Sequence, residues 1–351
     1  MAESRGSVLS SGQCASVRST SGVSQRPADS RRFNLPFSYN NAMPAFDLST
    51  RISGIRLDNP VILASGILDV SSGLLKKMAD SGAGAVVTKS VGLRPRKGNP
   101  NPTVVAVHGG LLNSMGLCNP GISEFLKELG GLSGVKVPVI GSVYAGSPEE
   151  FAHVAKEMSA SCVRAVELNV SCPNVGKGEC FGEIIGKSPK LVARVVSKVK
   201  SAIKKPVIVK LTPNVSDIVE IALAAEKAGA DAITAVNTFG PGMVINVDAR
   251  RPVLGGLFGG MSGPAVKPLA VACVYKLHES VSIPIIGCGG VSTGKDVAEY
   301  MMAGASAVEV GTAVYYDGGR AFGRINRELA SFMRRRGIKA VGEMVGCAHG
   351  K

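Results

Sequence analysis

From Pro60 onward the chain repeats one hydropathy pattern. A short run of Val, Ile, Leu and Ala is followed by a loop holding Gly, Asn, Ser or Lys, then by a stretch whose apolar residues recur every three or four positions. The runs are PVILASG (60–66), GAVVTKS (84–90), PVIGSVYA (138–145), AVELNVSCP (165–173), PVIVKLTPN (206–214), AITAVNT (232–238), PIIGCGGV (284–291) and AVEVGTAV (307–314). Strands that are apolar throughout are buried on both faces, as in a parallel sheet covered by helices. SPEEFAHVAKEMSA, SPKLVARVVSKVKSAI and SDIVEIALAAEKAGA supply the helical crossovers that parallel strands require. Eight such units predict an α/β fold of the (β/α)8 TIM barrel type, with an open doubly wound sheet as the alternative. The segment from Val91 to Val137 is too long for a plain crossover and predicts an excursion over the barrel mouth.

The stretch from Met1 to Ala42 breaks this pattern. It is rich in Ser and Arg, poor in acids and without apolar periodicity, so it buries too little surface to offset its ordering entropy and is expected to be a disordered tail (1–42) ahead of one barrel domain (43–351). A targeting segment has a similar composition, but the apolar helical face is missing, and Met43 stands before a plausible first strand as another start. No stretch approaches about 18 uninterrupted apolar residues, so no membrane role is expected.

Composition narrows the chemistry. With 44 glycines, no tryptophan and 45% hydrophobic residues, the core is expected to be aliphatic and set between tight turns. The eight cysteines form no C-x-x-C pair and the four histidines show no ligand spacing, so no metal is expected, and reduced thiols point to a cytoplasmic location. The net charge of +14 is spread along the chain and not interleaved with aromatics; the densest run, MRRRGIK, reads as the solvated end of a last helix. A general positive field suits a phosphate or carboxylate ligand better than a nucleic acid.

In this barrel type the chemistry lies where strands end and loops begin. Ser65, Lys89, Ser142, Asn169 with Cys172, Lys210, Asn237 with Thr238, Gly289 with Gly290, and Gly311 with Thr312 all fall there. A lysine at a strand end can be a plain surface residue, but Lys89 and Lys210 both close apolar runs and would point into one mouth. GCGG and GTA, after the seventh and eighth runs, are either ordinary turns or a phosphate cradle of backbone N–H groups. Ser292 stands where the third glycine of G-x-G-x-x-G would follow Gly287 and Gly289, so a mononucleotide fits better than a dinucleotide. Phosphate, lysine and thiol together suit a flavin mononucleotide redox site. Lys210 would stabilise negative charge on the ring and the Cys172 thiolate would remove a proton beside a carbonyl; a small buried cysteine is the other reading of Cys172.

ASG, VVTKS, NSMGLCNPG, ELNVSCPN, VKLTPNVSDI, VNT, GGMSGPAVKP, GCGGVSTGKD and AGASAVEVGTA, in this order from Leu48 to Thr312, resemble the family 1 dihydroorotate dehydrogenases. GGMSGPAVKP and LTPNVSDI resemble the NAD-linked type 1B catalytic subunit more than the fumarate-linked homodimer. The resemblance implies oxidation of (S)-dihydroorotate to orotate in pyrimidine (UMP) biosynthesis, with one FMN per chain. It also implies electrons passed to NAD⁺ through a partner subunit that carries FAD and a 2Fe-2S cluster, the two forming a heterotetramer around a homodimer of this chain. By the same resemblance Cys172 matches the catalytic base, which takes the C5 proton while the C6 hydride passes to the flavin. Lys89, Asn113, Ser114, Met115, Gly116, Leu117, Asn169, Asn174, Asn237 and Thr238 match substrate contacts. Ser65, Lys89, Ser90, Asn169, Lys210, Val236, Gly263, Gly289, Gly290, Gly311 and Thr312 match flavin contacts.

Three features depart from the family pattern: Ser142 where Asn is common, Val236 in place of Ile, and the N-terminal tail. Two other functions stay open. A dihydropyrimidine dehydrogenase-like reductase would share barrel, flavin and cysteine but act on uracil or thymine, which carry no carboxylate. A flavin-dependent RNA-modifying barrel would need a basic appendage, and none is evident. Deleting Met1 to Ala42 is expected to leave melting temperature and turnover unchanged, because a segment that buries almost nothing contributes almost nothing. A loss of several degrees would show instead that it docks on the barrel.

Overall fold

Eight parallel strands close on themselves in chain order. They are β1 (Val61–Leu63), β2 (Ala85–Val87), β3 (Val139–Val143), β4 (Ala165–Asn169), β5 (Val207–Lys210), β6 (Ala232–Ala235), β7 (Ile285–Cys288) and β8 (Ala307–Val310), each inside its predicted run. The structure, a computed structural model, describes residues 46–171 and 183–350. The expectation for residues 1–42 lies outside the described residues. Closure is made where β8 returns to β1, pairing Val308 with Val61 and Val310 with Leu63. The open doubly wound alternative is therefore excluded.

A helix follows each strand: α1 (Ser72–Asp80), α2 (Ile122–Gly130), α3 (Pro148–Ser159), α4 (Pro189–Ala202), α5 (Ile218–Lys227), α6 (Lys267–His278), α7 (Gly294–Met302) and α8 (Arg320–Arg336). Several starts are written in the sequence. Ser147 and Ser188 accept hydrogen bonds from the backbone N–H of Glu150 and Leu191, each with proline at the first helical position, and Thr293 forms a capping box with Asp296. Each such cap is worth about 1 kcal/mol. No helix among the described residues is long and apolar enough to cross a membrane.

Alternation along the strands divides the apolar residues into two cores. One face of each strand packs outward on the helices, where Leu63, Val86, Val139 and Leu168 meet Phe125, Phe151, Val195 and Leu329 in a continuous cluster. The other face points into the barrel, where Ile62, Val87, Ile140, Ala165, Ile208, Ala232, Ile286 and Ala307 form the lower filling. A two-stranded hairpin, Thr50–Ile52 with Ile55–Leu57, plugs this end by adding Ile52 and Leu57 to the same cluster. Its hydroxyls fix it there, Thr50 Oγ1 donating to Ser306 O at 2.8 Å and Ser53 Oγ to Asp231 O at 2.6 Å.

The opposite end is roofed differently. Strands Val104–Val107 and Gly110–Asn113 from the β2 connection, and Phe239–Gly242 and Gly259–Ser262 from the β6 connection, make one four-stranded sheet. The long excursion predicted between Val91 and Val137 is thus a half-sheet completed by a second loop, followed by α2.

Candidate active site

The ends of seven of the eight strands, all but β3, line one cavity beneath this sheet. Ser65, Lys89, Ser90, Asn169, Lys210, Val236, Asn237, Thr238, Gly289, Gly290, Gly311 and Thr312 all line it, joined from the roof by Asn113, Met115, Gly116 and Leu117. Ser114 is buried behind the wall, where Asn99 Nδ2 holds its carbonyl at 3.0 Å. Gly263 stands one residue behind the lining Ser262 and against Gly290. Cys172 and Asn174 lie outside the described residues, which resume at Glu183.

Polar residues from separate strands orient one another. Ser90 Oγ lies 3.2 Å from Ser65 Oγ and 2.8 Å from Ser142 Oγ, and accepts from Asn169 Nδ2 at 3.1 Å. Asn169 Oδ1 accepts from Ser171 Oγ at 3.2 Å and from Asn237 Nδ2 at 3.4 Å, and Asn237 Nδ2 also donates to Ser171 Oγ at 2.8 Å. The two asparagines are held from β4 and β6 with their amide orientation set by serines. Ser142, fully buried, does not line the cavity; it acts on the wall through Ser90.

A glycine-lined corner faces this network. Gly289 and Gly290 both have positive φ, 130° and 73°, and a Cβ on Gly290 would come within 2.6 Å of Gly263 O. Only glycine leaves these backbone groups uncovered, the arrangement by which loops hold a phosphate. Tyr300, packed where a side chain on Gly287 would stand, fixes the loop by donating from its phenol to Gly289 O at 2.6 Å. Thr312 Oγ1 and Ser262 Oγ, 2.9 Å apart, close the corner.

Two lysines occupy different electrical settings. Lys89 is 5% exposed and its ammonium makes no hydrogen bond or ion pair among the described residues. Its charge acts on Asp69, whose carboxyl is raised by burial and drawn down by Lys89, by Gly66 N–H and by Ser65. A buried ammonium without a hydrogen-bonded counter-charge costs several kcal/mol, so this wall is built for an anion. Lys210, equally buried, is fully partnered: its ammonium bonds Glu309 Oε2 and lies 3.9 Å from Glu167 Oε1. Burial opposes its charge, but the two carboxyl groups outweigh burial and hold its pKa above the ordinary lysine value. Glu167 is pushed up to about 8 by burial and by the Glu309 charge, against the pull of Lys210.

Sequence reasoning missed Glu309, Cys288, Ser262 and Tyr315 in the lining and Glu167 beneath it. A signal was present for two of them: Glu167 and Glu309 are charges inside otherwise apolar strands, AVELN and AVEV, where a charge survives only with a buried partner.

A family model described as dihydroorotate dehydrogenase matches residues 47–333. A relative from Methanothermobacter thermautotrophicus is 52% identical over 304 residues, covering 87% of this chain and 99% of its own. Relatives from Methanocaldococcus jannaschii and Pyrococcus abyssi are each 48% identical, covering 86% of this chain and 98% and 99% of their own. All three are named dihydroorotate dehydrogenase B (NAD(+)), catalytic subunit.

The raised Glu167 carboxyl has a consequence for stability. An unfolded carboxyl releases its proton near 4.5 while the folded one keeps it to about 8, so stability falls as pH rises between those values. Glu167→Gln removes this titration. The melting temperature of the variant relative to the unaltered chain is therefore expected to rise from about pH 5 to about pH 8. Parallel melting curves across that range would show that Glu167 is ionised throughout.

Proposed function

Because the chain belongs to the dihydroorotate dehydrogenase family, we propose that it is the catalytic subunit of an NAD-linked dihydroorotate dehydrogenase, oxidising (S)-dihydroorotate to orotate in pyrimidine (UMP) biosynthesis. The observation that carries this reading is the pairing, in one cavity, of a glycine cradle with a buried lysine that has no hydrogen-bonded anion among the described residues. The cradle fits the phosphate of a flavin held as FMN, and the lysine fits the orotate carboxylate. Uracil and thymine carry no such group and would leave the Lys89 ammonium buried and unmatched, which weighs against a dihydropyrimidine reductase.

Gly263, Gly289, Gly290, Gly311 and Thr312 would hold the phosphate, with Ser65, Ser90, Lys210 and the backbone of Val236 along the ring. When bound, a flavin supplies the two-electron acceptor that the reaction needs. Lys89, Asn169, Asn237 and Thr238, with Asn113 to Leu117 from the roof and Asn174, would read the carboxylate and the ring edges of the substrate through ammonium and amide groups. The serine-held amides of Asn169 and Asn237 present fixed donors and acceptors, so the substrate ring is oriented before chemistry begins. Cys172 would take the C5 proton as its thiolate. The roofing sheet, whose Val104, Leu111 and Met261 line the cavity, would limit water at the reacting face.

Electrons must leave the barrel for NAD⁺, and among the described residues no group of ligands could hold a metal cluster. In this reading they pass to a separate subunit with FAD and a 2Fe-2S cluster, in a heterotetramer around a homodimer of this chain. The hairpin between Phe239 and Ser262 supports it, for its tip exposes Met243, Ile245, Val247, Leu257 and Phe258, with Val247 78% exposed. A cytoplasmic location belongs to the same proposal and rests on the reduced-thiol reading of the cysteines.

Replacing Cys172 by Ala is expected to keep flavin and orotate binding while slowing flavin reduction by about 10²–10⁴-fold, the usual effect of removing a general base. Near-normal reduction in that variant, with the loss appearing in Cys118→Ala instead, would reassign the base. The isolated chain is expected to reduce artificial dyes with dihydroorotate and to leave NAD⁺ untouched. Brisk NAD⁺ reduction by the single chain would refute the two-subunit reading, and brisk fumarate reduction would place the protein with the homodimeric type.

A further inference from the structure

Glu167 has no part in the scheme above, yet it stands directly beneath it. Ala165, two positions earlier on β4, belongs to the filling inside the barrel, so Glu167 points inward as well, one layer nearer the mouth. It is fully buried. Its Oε2 accepts from Thr234 Oγ1 at 2.9 Å, while Oε1 lies 3.9 Å from Lys210 Nζ and has no hydrogen-bond partner among the described residues. Glu309 reaches the same ammonium from β8 through Oε2, and its Oε1 likewise has no partner there. Glu309 and Lys210 line the cavity; Glu167 does not.

The other groups of this layer leave the count of charges unchanged. Burial pushes the Cys288 thiol, from β7, up to about 12, so it is neutral. Burial also raises the Tyr300 phenol behind β7, while Thr234 and Ser142 carry no charge. The ammonium that acts on the Asp69 carboxyl is that of Lys89, not Lys210. Below lie only Ile62, Ile140, Ile208, Ile286 and their apolar neighbours. Two carboxylates would thus face one ammonium, and the excess negative charge has no further counter-charge among the described residues of this layer.

We propose that Glu167 and Glu309 hold one proton between them and bind a second when the cavity above Lys210 gains a negative charge, so that the floor of the site turns from neutral to singly positive in step with its ligand. This rests on the flavin reading given above. In the oxidation, dihydroorotate gives up a hydride and the C5 proton. The hydride carries two electrons and adds one negative charge to the flavin; the C5 proton leaves through the base to solvent; one solvent proton enters the carboxyl pair. Total charge within the protein is unchanged and no net proton is released.

Lys210 is the link. An ammonium drawn toward new negative charge in the cavity loosens from Glu309, and a buried carboxylate that loses its cation becomes a stronger base. Glu309 lines the cavity and can receive the proton from there; Glu167, held by Thr234 behind it, is a positioning residue that keeps the pair one proton short of neutral. The raised affinity of Glu167 for its proton agrees with this arrangement.

The test uses the full chain loaded with flavin under anaerobic conditions. Each proton taken up with two electrons moves the midpoint potential of the bound flavin by about 30 mV per pH unit. The expected slope near neutral pH is therefore about 60 mV per pH unit in the unaltered chain, two protons, and about 30 mV in Glu309→Gln, one proton. A pH-indicator dye during a single reduction by dihydroorotate supplies a second measure: no net proton released by the unaltered chain, one released by Glu309→Gln. Glu167→Gln, which mimics the carboxyl that already holds its proton, is expected to keep the slope and the proton count of the unaltered chain. Equal slopes in the unaltered chain and Glu309→Gln would overturn the proposal, as would release of one proton by an unaltered chain whose flavin content and bleaching by dihydroorotate are normal. A full chain that retains no flavin would instead refute the cofactor reading beneath it.

Discussion

A closed barrel of eight strands has an interior just wide enough for its own side chains, so every inward residue must find its partner among the inward residues of other strands. That constraint shapes the molecule from end to end. In the lower layers it is met by aliphatic filling, Ile62 and Val87 against Ile140, Ile208 and Ile286, sealed by Ile52 and Leu57 of the hairpin. In the upper layer it is met by a closed set of polar partners, Glu167 with Thr234 and Lys210, Lys210 with Glu309. Closed parallel strands also send all eight C-terminal ends to one rim, which is why residues as far apart in the chain as Ser65 and Thr312 share a cavity.

The two ends of the barrel are stabilised in opposite ways. The hairpin end is tied by apolar burial and by two short hydroxyl bonds, and contributes only stability. The mouth carries glycines at positive φ, an ammonium without a hydrogen-bonded anion, and carboxyl oxygens without hydrogen-bond donors among the described residues. The ammonium and the carboxyl oxygens each cost stability for want of a hydrogen-bond partner among the described residues, whereas the glycines adopt their positive φ without strain and leave backbone groups uncovered.

Most of the fold was legible because a strand buried on both faces has to be apolar throughout, and eight such runs separated by helical periodicity have few other arrangements. The helix starts were legible through SPEE, SPK and TGKD, whose caps the structure contains. Strand-end residues such as Lys89, Asn169 and Gly290 were legible for the same reason: once strand ends are placed, topology places the site. The layer beneath was not. Glu167 and Glu309 lie in different strands, and their meeting at Lys210 depends on barrel closure and stagger, which no local pattern encodes. The roof was legible only as excess length, since its four strands come from two distant loops and pair across them. Ser142, placed at a strand end by the pattern but a departure from the family's usual Asn, lies behind the lining and meets Ser90 Oγ at 2.8 Å.

The two buried lysines show why residue type alone does not assign a role. Both close apolar runs, both are 5% exposed, and both reach the same cavity. Lys89 meets no hydrogen-bonding anion within the described protein, so its charge is available to a ligand that brings a full negative charge of its own. Lys210 already shares its ammonium with two carboxyl groups, so what it presents to the cavity is a charge largely neutralised from behind. Under the proposed function a neutral ring would be acceptable over Lys210, and a carboxylate would match Lys89. The difference is made by Glu167, on the strand paired directly with that of Lys210, and by Glu309, on a strand further round the barrel, rather than by the lysines themselves.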